Sequence, residues 1–61
     1  MMDEAEFMIL RKRQELRDLL NFTLKQNPTL LSLVRILKSQ IKSCDFMLVE
    51  LYASRAKLRT G

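Results

Sequence analysis

The chain has 61 residues, a mass of 7.2 kDa and a net charge of +4, with 48% hydrophobic and 30% charged residues. A domain of this size buries only about 60% of the surface of its unfolded chain, which excludes a large single-chain core. One Gly and one Pro argue against a turn-rich β fold, a repeat array or a disordered chain. We therefore expect an all-α chain of two or three helices.

The chain has few residues of the types that carry out catalysis or bind metals. The chain has no His and a single Cys, Cys44. This excludes an intrachain disulfide, a zinc site of the Cys/His type and a nucleophile–His pair within one chain. No pair of Asp or Glu falls on an apolar concave surface where the two pKa values would separate. The sequence predicts a protein that is not an enzyme and has no cofactor, metal or small-molecule substrate.

The first predicted helix covers residues 4–26. Asp3 and Glu6 have the spacing of a capping box, and acidic side chains favour the positive end of a helix dipole. The apolar stripe that identifies this helix is formed by Ala5, Ile9, Leu16, Leu19, Leu20 and Thr23.

The single proline divides the chain. Pro28 disfavours helical geometry at Asn27, so the first helix is expected to end near Gln26. Asn27 is expected to cap the second helix, with Pro28 at its first position and the turn at 27–29. Such a short connection returns the chain antiparallel, which predicts a helical hairpin.

The second predicted helix, residues 29–58, carries a heptad repeat. One series of the repeat is Leu30, Leu37, Cys44, Leu51 and Leu58, and the other is Val34, Ile41, Leu48 and Arg55. The same pattern also fits a parallel two-stranded coiled coil. The hairpin is favoured because Pro28 leaves almost no linker between two amphipathic segments, and both arrangements hold if hairpins dimerise. The fold predicted for residues 1–61 is a single coiled-coil-like antiparallel two-helix hairpin that dimerises into a four-helix bundle.

Two fully apolar segments should meet in this hairpin, residues 7–10 across from residues 46–49. Four successive apolar residues point in every direction around a helix, and one neighbouring helix covers about half of them. We expect the surplus to form a protein interface of Phe7, Leu10, Phe46, Met47 and Val49. A second copy of the chain is the first candidate partner, and a helix or groove of a different protein is the second.

The basic residues raise a second hypothesis, because Arg35, Lys38 and Lys42 share one flank of the second helix and a basic cluster on the first helix lies roughly opposite. The candidate contacts to DNA or RNA phosphates are Arg11, Arg13, Arg17, Arg35, Lys38 and Lys42. The alternative is a solvated charged face. The predicted function is a small interaction or regulatory module that presents helix faces to a partner, with a basic dimeric nucleic-acid-binding regulator as the alternative.

The sequence also bears on location. A signal peptide starts with basic residues, whereas this chain opens with Asp3, Glu4 and Glu6. Its longest uncharged apolar stretch has four residues, residues 46–49, against the roughly 20 that span a bilayer. The expectation is a protein that is not secreted and has no transmembrane segment. With one cysteine, which we expect to be a small core residue, a cytoplasmic or nuclear location is predicted.

Overall fold

The computed structural model describes residues 3–60, with side chains described through residue 57. Two helices, α1 (Glu4–Gln26) and α2 (Leu31–Thr60), pack against each other in antiparallel directions. The Cα atoms extend 50 × 19 × 10 Å, so the molecule is a slab two helices wide and one helix thick. This confirms the predicted all-α hairpin. Within residues 3–60, neither helix is long and apolar enough to cross a membrane.

The start of α1 confirms Asp3 as the N-cap but not the full capping box. The Asp3 Oδ1 atom accepts a hydrogen bond from the Ala5 N–H at 3.4 Å, and the Asp3 carbonyl accepts from the Phe7 N–H at 2.9 Å. In a complete capping box Glu6 would reach back to the Asp3 N–H. Both Glu6 carboxylate oxygens instead contact α2, so the second half of that prediction is wrong.

The connection between the helices is longer than the sequence suggested. Asn27 ends α1: its N–H still donates to the Thr23 carbonyl at 2.8 Å, but its φ of −153° and ψ of 78° are not helical. Pro28 and Thr29 form the turn, and the Leu30 carbonyl accepts the first α2 hydrogen bond, from Val34. The prediction that Asn27 caps the second helix is therefore wrong, and the helix begins at Leu31, two residues after the predicted start. The chain needs these loop residues to cross the 8–10 Å between two helix axes.

The longer loop shifts the register of the hairpin. A turn centred on Pro28 would place residue 50 across from Glu6. The structure places Tyr52 there, with its hydroxyl 2.7 Å from Glu6 Oε2. The shift is two residues along α2, which is more than half a helical turn.

A narrow buried seam runs between the helices. Its buried members are Leu16, Thr23, Val34, Leu37, Cys44 and Leu48, with Ile9, Leu20 and Ile41 partly buried against them. These residues come from the predicted stripe and heptad series, and Cys44, only 3% exposed, is confirmed as a small core residue. The Thr23 hydroxyl donates to the Leu19 carbonyl at 2.8 Å, so its burial leaves no polar atom unsatisfied.

Three residues of the predicted seam lie outside it. Leu19 and Leu30 are about half exposed, and Ala5 is also exposed. Leu19 lies on the flank of the α1 stripe, and Leu30 belongs to the loop, so neither position faces the partner helix. The side chain of Leu58 lies outside the described residues. The seam is thus narrower than predicted, which leaves more apolar surface on the outside of the slab.

Candidate functional site

The slab has two broad faces, one on each side of the seam. A helical residue that flanks the seam points to one face or the other according to its place in the heptad. Because the helices are antiparallel, corresponding flanks of α1 and α2 share a face. The contacts of Tyr52 with Glu6 and of Asp45 with Arg13 mark one of these faces. The remaining flank positions form the other.

The unmarked face, called here the apolar face, is rich in large apolar side chains. They are between 39% and 62% exposed: Met8, Leu19, Phe22, Leu33, Ile36 and Met47. Four charged residues, Lys12, Glu15, Glu50 and Lys57, occupy the same face, and their charges sum to zero. Lys12 and Glu15 lie beside Met8 around one shallow depression. Large apolar side chains exposed on one face of a domain are typical of a protein interface.

The marked face, called here the basic face, carries four cations: Arg17, Arg35, Lys38 and Lys42. Arg17 comes from α1 and the other three from α2. All four side chains are exposed, and none of them forms an ion pair or hydrogen bond with a described residue. From Arg35 to Lys42 the helix rises about 10 Å, so the cations cluster within two helical turns.

Arg13 and Asp45 lie beside this cluster as an ion pair. The Arg13 Nε atom is 2.6 Å from Asp45 Oδ1. This buried Nε lacks the alignment of a hydrogen bond, so the contact is ionic. Asp45 lies on the basic face, and Arg13 neutralises its charge.

Of the six predicted nucleic-acid contacts, the structure thus brings four together and separates two. Arg13 is held by Asp45. Arg11 lies on the outer edge of α1, where its Nε is 3.4 Å from Glu15 Oε1 in an exposed pair that contributes little stability. The remaining four are the cations of the basic face.

The five residues predicted to form one apolar interface occupy three different surfaces. Phe7, Leu10 and Val49 lie on the same side as the basic face, nearer the open end of the hairpin. Met47 belongs to the apolar face, and Phe46, 64% exposed, lies on the outer edge of α2. Leu10 is half-buried, whereas the other four are exposed. The structure does not bring these five side chains together.

Sequence reasoning missed most of the apolar face. Phe22 lies between two polar residues, and Leu33 and Ile36 each have a single apolar neighbour, so no long apolar run marks them. These residues could have been found from their heptad positions, because they flank the seam on the same side in both helices. In an antiparallel pair, the positions on that side of the two helices form one face.

A third group, called here the polar clamp, joins the helices at the open end. Arg55 Nη2 is 3.2 Å from Asp3 Oδ2, and Arg55 Nη1 is 3.0 Å from Glu6 Oε1. Tyr52 donates its hydroxyl hydrogen to the other Glu6 oxygen. The Arg55 guanidinium also lies 6.0 Å from the centre of the Tyr52 ring.

These contacts shift the pKa of each member of the clamp. The Tyr52 hydrogen bond, followed by that of Arg55, lowers the pKa of Glu6 below its usual value. The hydrogen bond from Arg55 lowers the pKa of Asp3. Glu6 in turn raises the pKa of both Tyr52 and Arg55. Each charge of the clamp is therefore engaged by a partner on the other helix.

Four shallow depressions of the described surface are each lined by residues of a single helix. Among residues 3–57, no group of three or more Cys, Asp or Glu side chains is placed to hold a metal ion. The candidate site is consequently a pair of opposite surfaces, one apolar and one basic.

Comparison with protein-family models, curated proteins and solved structures finds no match for this chain. The two broad faces therefore carry the functional argument. They differ in charge, because the basic face carries four unpaired cations whereas the charges of the apolar face balance.

Proposed function

We propose that this chain is a non-enzymatic interaction module that pairs with a second copy of itself through the apolar face. The observation that carries the proposal is the exposure of six large apolar side chains on one nearly neutral face. Removing apolar surface from water is the main favourable term in protein association. Two hairpins joined in this way would form a four-helix bundle with the apolar faces inside.

The size and charge of the face support a second copy as its partner. Each broad face is 19 Å wide at its Cα atoms and follows the 50 Å length of the molecule, which gives room for the roughly 800 Å² that a standard interface buries on each partner. Lys12 and Glu15 carry opposite charges, so two apolar faces meet without net repulsion. If two basic faces met instead, the four unpaired cations of one chain would face the four of the other and repel them.

The small seam is a further reason for pairing. Five apolar residues are buried within the described chain. A single core in a chain below 70–80 residues rarely supplies more than about 3–5 kcal/mol of stability. Burial of the apolar face in a dimer would add to this core and couple folding to association. We place the activity in the cytoplasm or nucleus, where a lone thiol such as that of Cys44 stays reduced.

Sedimentation across a concentration series tests the proposal. The wild-type chain is expected to have twice the 7.2 kDa monomer mass. Ile36→Glu should weaken the dimer by roughly 100-fold, because it would bury an unpaired charge within the apolar interface. Phe46→Glu is the matched control, since Phe46 is also an exposed apolar residue of α2 but lies on its outer edge. Neither side chain belongs to the seam, so circular dichroism should report an unchanged hairpin.

A folded wild-type monomer at millimolar concentration would contradict self-association and direct the search to a different protein that covers the apolar face. A dimer that Ile36→Glu leaves intact and Phe46→Glu dissociates would place the interface on the outer edge of α2. Either result would overturn the proposed face.

A further inference from the structure

We infer that the basic face binds the phosphate backbone of duplex nucleic acid. The face lies opposite the proposed dimer surface, so both basic faces remain outside in the bundle. Other arginines of the fold, Arg11, Arg13 and Arg55, have carboxylate partners. The four cations of the basic face have no such partner among the described residues, and they come together from both helices. Unpaired cations gathered on one surface are the electrostatic footprint of a polyanion site.

The Arg13–Asp45 ion pair keeps this surface positive. Asp45 lies three residues after Lys42, the spacing at which a carboxylate and an ammonium pair on a helix. Because Arg13 holds Asp45 from the other helix, Lys42 is left available for an external phosphate. Arg13 is thus a positioning residue and is not itself a contact.

The shape of the face favours the duplex backbone over base edges or single strands. The slab is 19 Å wide at its Cα atoms, which is wider than the major groove of about 12 Å. The face therefore lies across the groove and meets phosphates on its rims. No aromatic residue lies on α2 between Arg35 and Lys42 or next to Arg17 in sequence, so bases have no stacking platform among the cations. Recognition is accordingly independent of base sequence.

Salt dependence gives the first test, in which the full chain is titrated with a 20-base-pair duplex of DNA or RNA. Four phosphate contacts predict that log K falls by about 3.6 for each unit of log salt. Affinity should therefore fall roughly 100-fold between 50 and 200 mM salt. Salt-independent binding, no binding at 50 mM salt, or tighter binding to a single strand would overturn the inference.

Two double variants with the same change in net charge give the second test. Arg35→Glu with Lys38→Glu removes two cations of the basic face, and Arg11→Glu with Lys25→Glu removes two from the outer edge of α1. The first pair should lower affinity at least about tenfold more than the second and flatten the salt slope by about 1.8. Equal losses of duplex affinity in the two double variants would show that binding depends only on the net charge of the chain, and would overturn the basic face as the binding site.

A third measurement isolates the positioning role of Arg13. Arg13→Gln frees Asp45 to pair with Lys42, so duplex affinity should fall. Adding Asp45→Asn should restore it, a rescue that a loss of folding would not produce. The variant Ile36→Glu, which should break the dimer, should leave the slope of log K against log salt unchanged for each chain. Duplex binding and self-association can therefore fail independently of each other. Failure of the rescue would remove Arg13 from the site.

Discussion

The middle and the open end of the seam are closed by different chemistry, although the residues at both places occupy heptad positions that face the partner helix. In the middle, Leu16, Leu37 and Cys44 form an apolar core. At the open end Arg55, which continues the heptad series of Val34, contacts the carboxylates of the polar clamp. The heptad position directs each side chain toward the partner helix. The residue type determines whether the contact made there is apolar or ionic. An apolar contact is indifferent to pH, whereas the clamp depends on the ionisation of its members.

The largest expected effect separates the core from the exposed apolar surface of the same helix. Leu37→Ala should lower the free energy of unfolding by about 2–5 kcal/mol, because it leaves a cavity in the seam. Leu31→Ala is the matched control, since Leu31 is 67% exposed and its loss should change stability by less than about 0.5 kcal/mol. Urea unfolding at one protein concentration measures both. Equal losses would mean that the seam is not the core of the hairpin.

A smaller effect is expected at the clamp. Glu6→Gln removes the charge that Arg55 pairs with, so the melting temperature at pH 7 should fall, but by less than half the fall caused by Leu37→Ala. Glu4→Gln makes the same change in charge two residues away, and Glu4 has no cross-helix bond. Thermal melts followed by circular dichroism measure the difference. A loss as large in Glu4→Gln would assign the effect to the helix dipole instead of the clamp.

The smallest expected effect is the pH dependence that distinguishes the two regions. The folded state lowers the pKa of Glu6 and Asp3 below their ordinary values of 4.5 and 3.8. Their contribution to stability is therefore complete above about pH 5 and is lost as the pH falls through the lowered values. Melting temperature should decline below pH 4.5 in the wild type and decline less in Glu6→Gln. A Glu6→Gln profile parallel to that of the wild type would contradict the clamp.

The elements of this fold were predictable because they depend on local spacing. The α1 stripe and the α2 heptad each require only the identity of residues three or four apart. The register was not predictable in the same way. Pro28 excludes helical geometry at Asn27 but does not fix how many residues the chain uses to cross to the second helix. The resulting shift of two residues is what brings Tyr52 and Arg55 to Glu6.

The candidate surfaces were harder to predict than the seam for a geometric reason. Phe46, Met47 and Val49 are near neighbours in sequence, and successive residues of a helix diverge by about 100°, so they point to different surfaces. Phe22 and Ile36 are distant in sequence but meet on one face because the helices are antiparallel. A run of apolar residues indicates that one neighbouring helix cannot cover all of its side chains. Which face of the molecule carries the uncovered side chains follows only from the register of the two helices.

Cys44 gives the molecule an internal reporter of its own motion. The thiol lies in the middle of the seam, 3% exposed, and Cys44 is the single cysteine of the chain. An alkylating reagent can reach it only when the two helices separate, so the rate of modification measures how often the hairpin opens. The native sequence can therefore be followed by mass spectrometry without an added label. Dilution below the dissociation constant of a dimer would speed the reaction if pairing holds the hairpin closed.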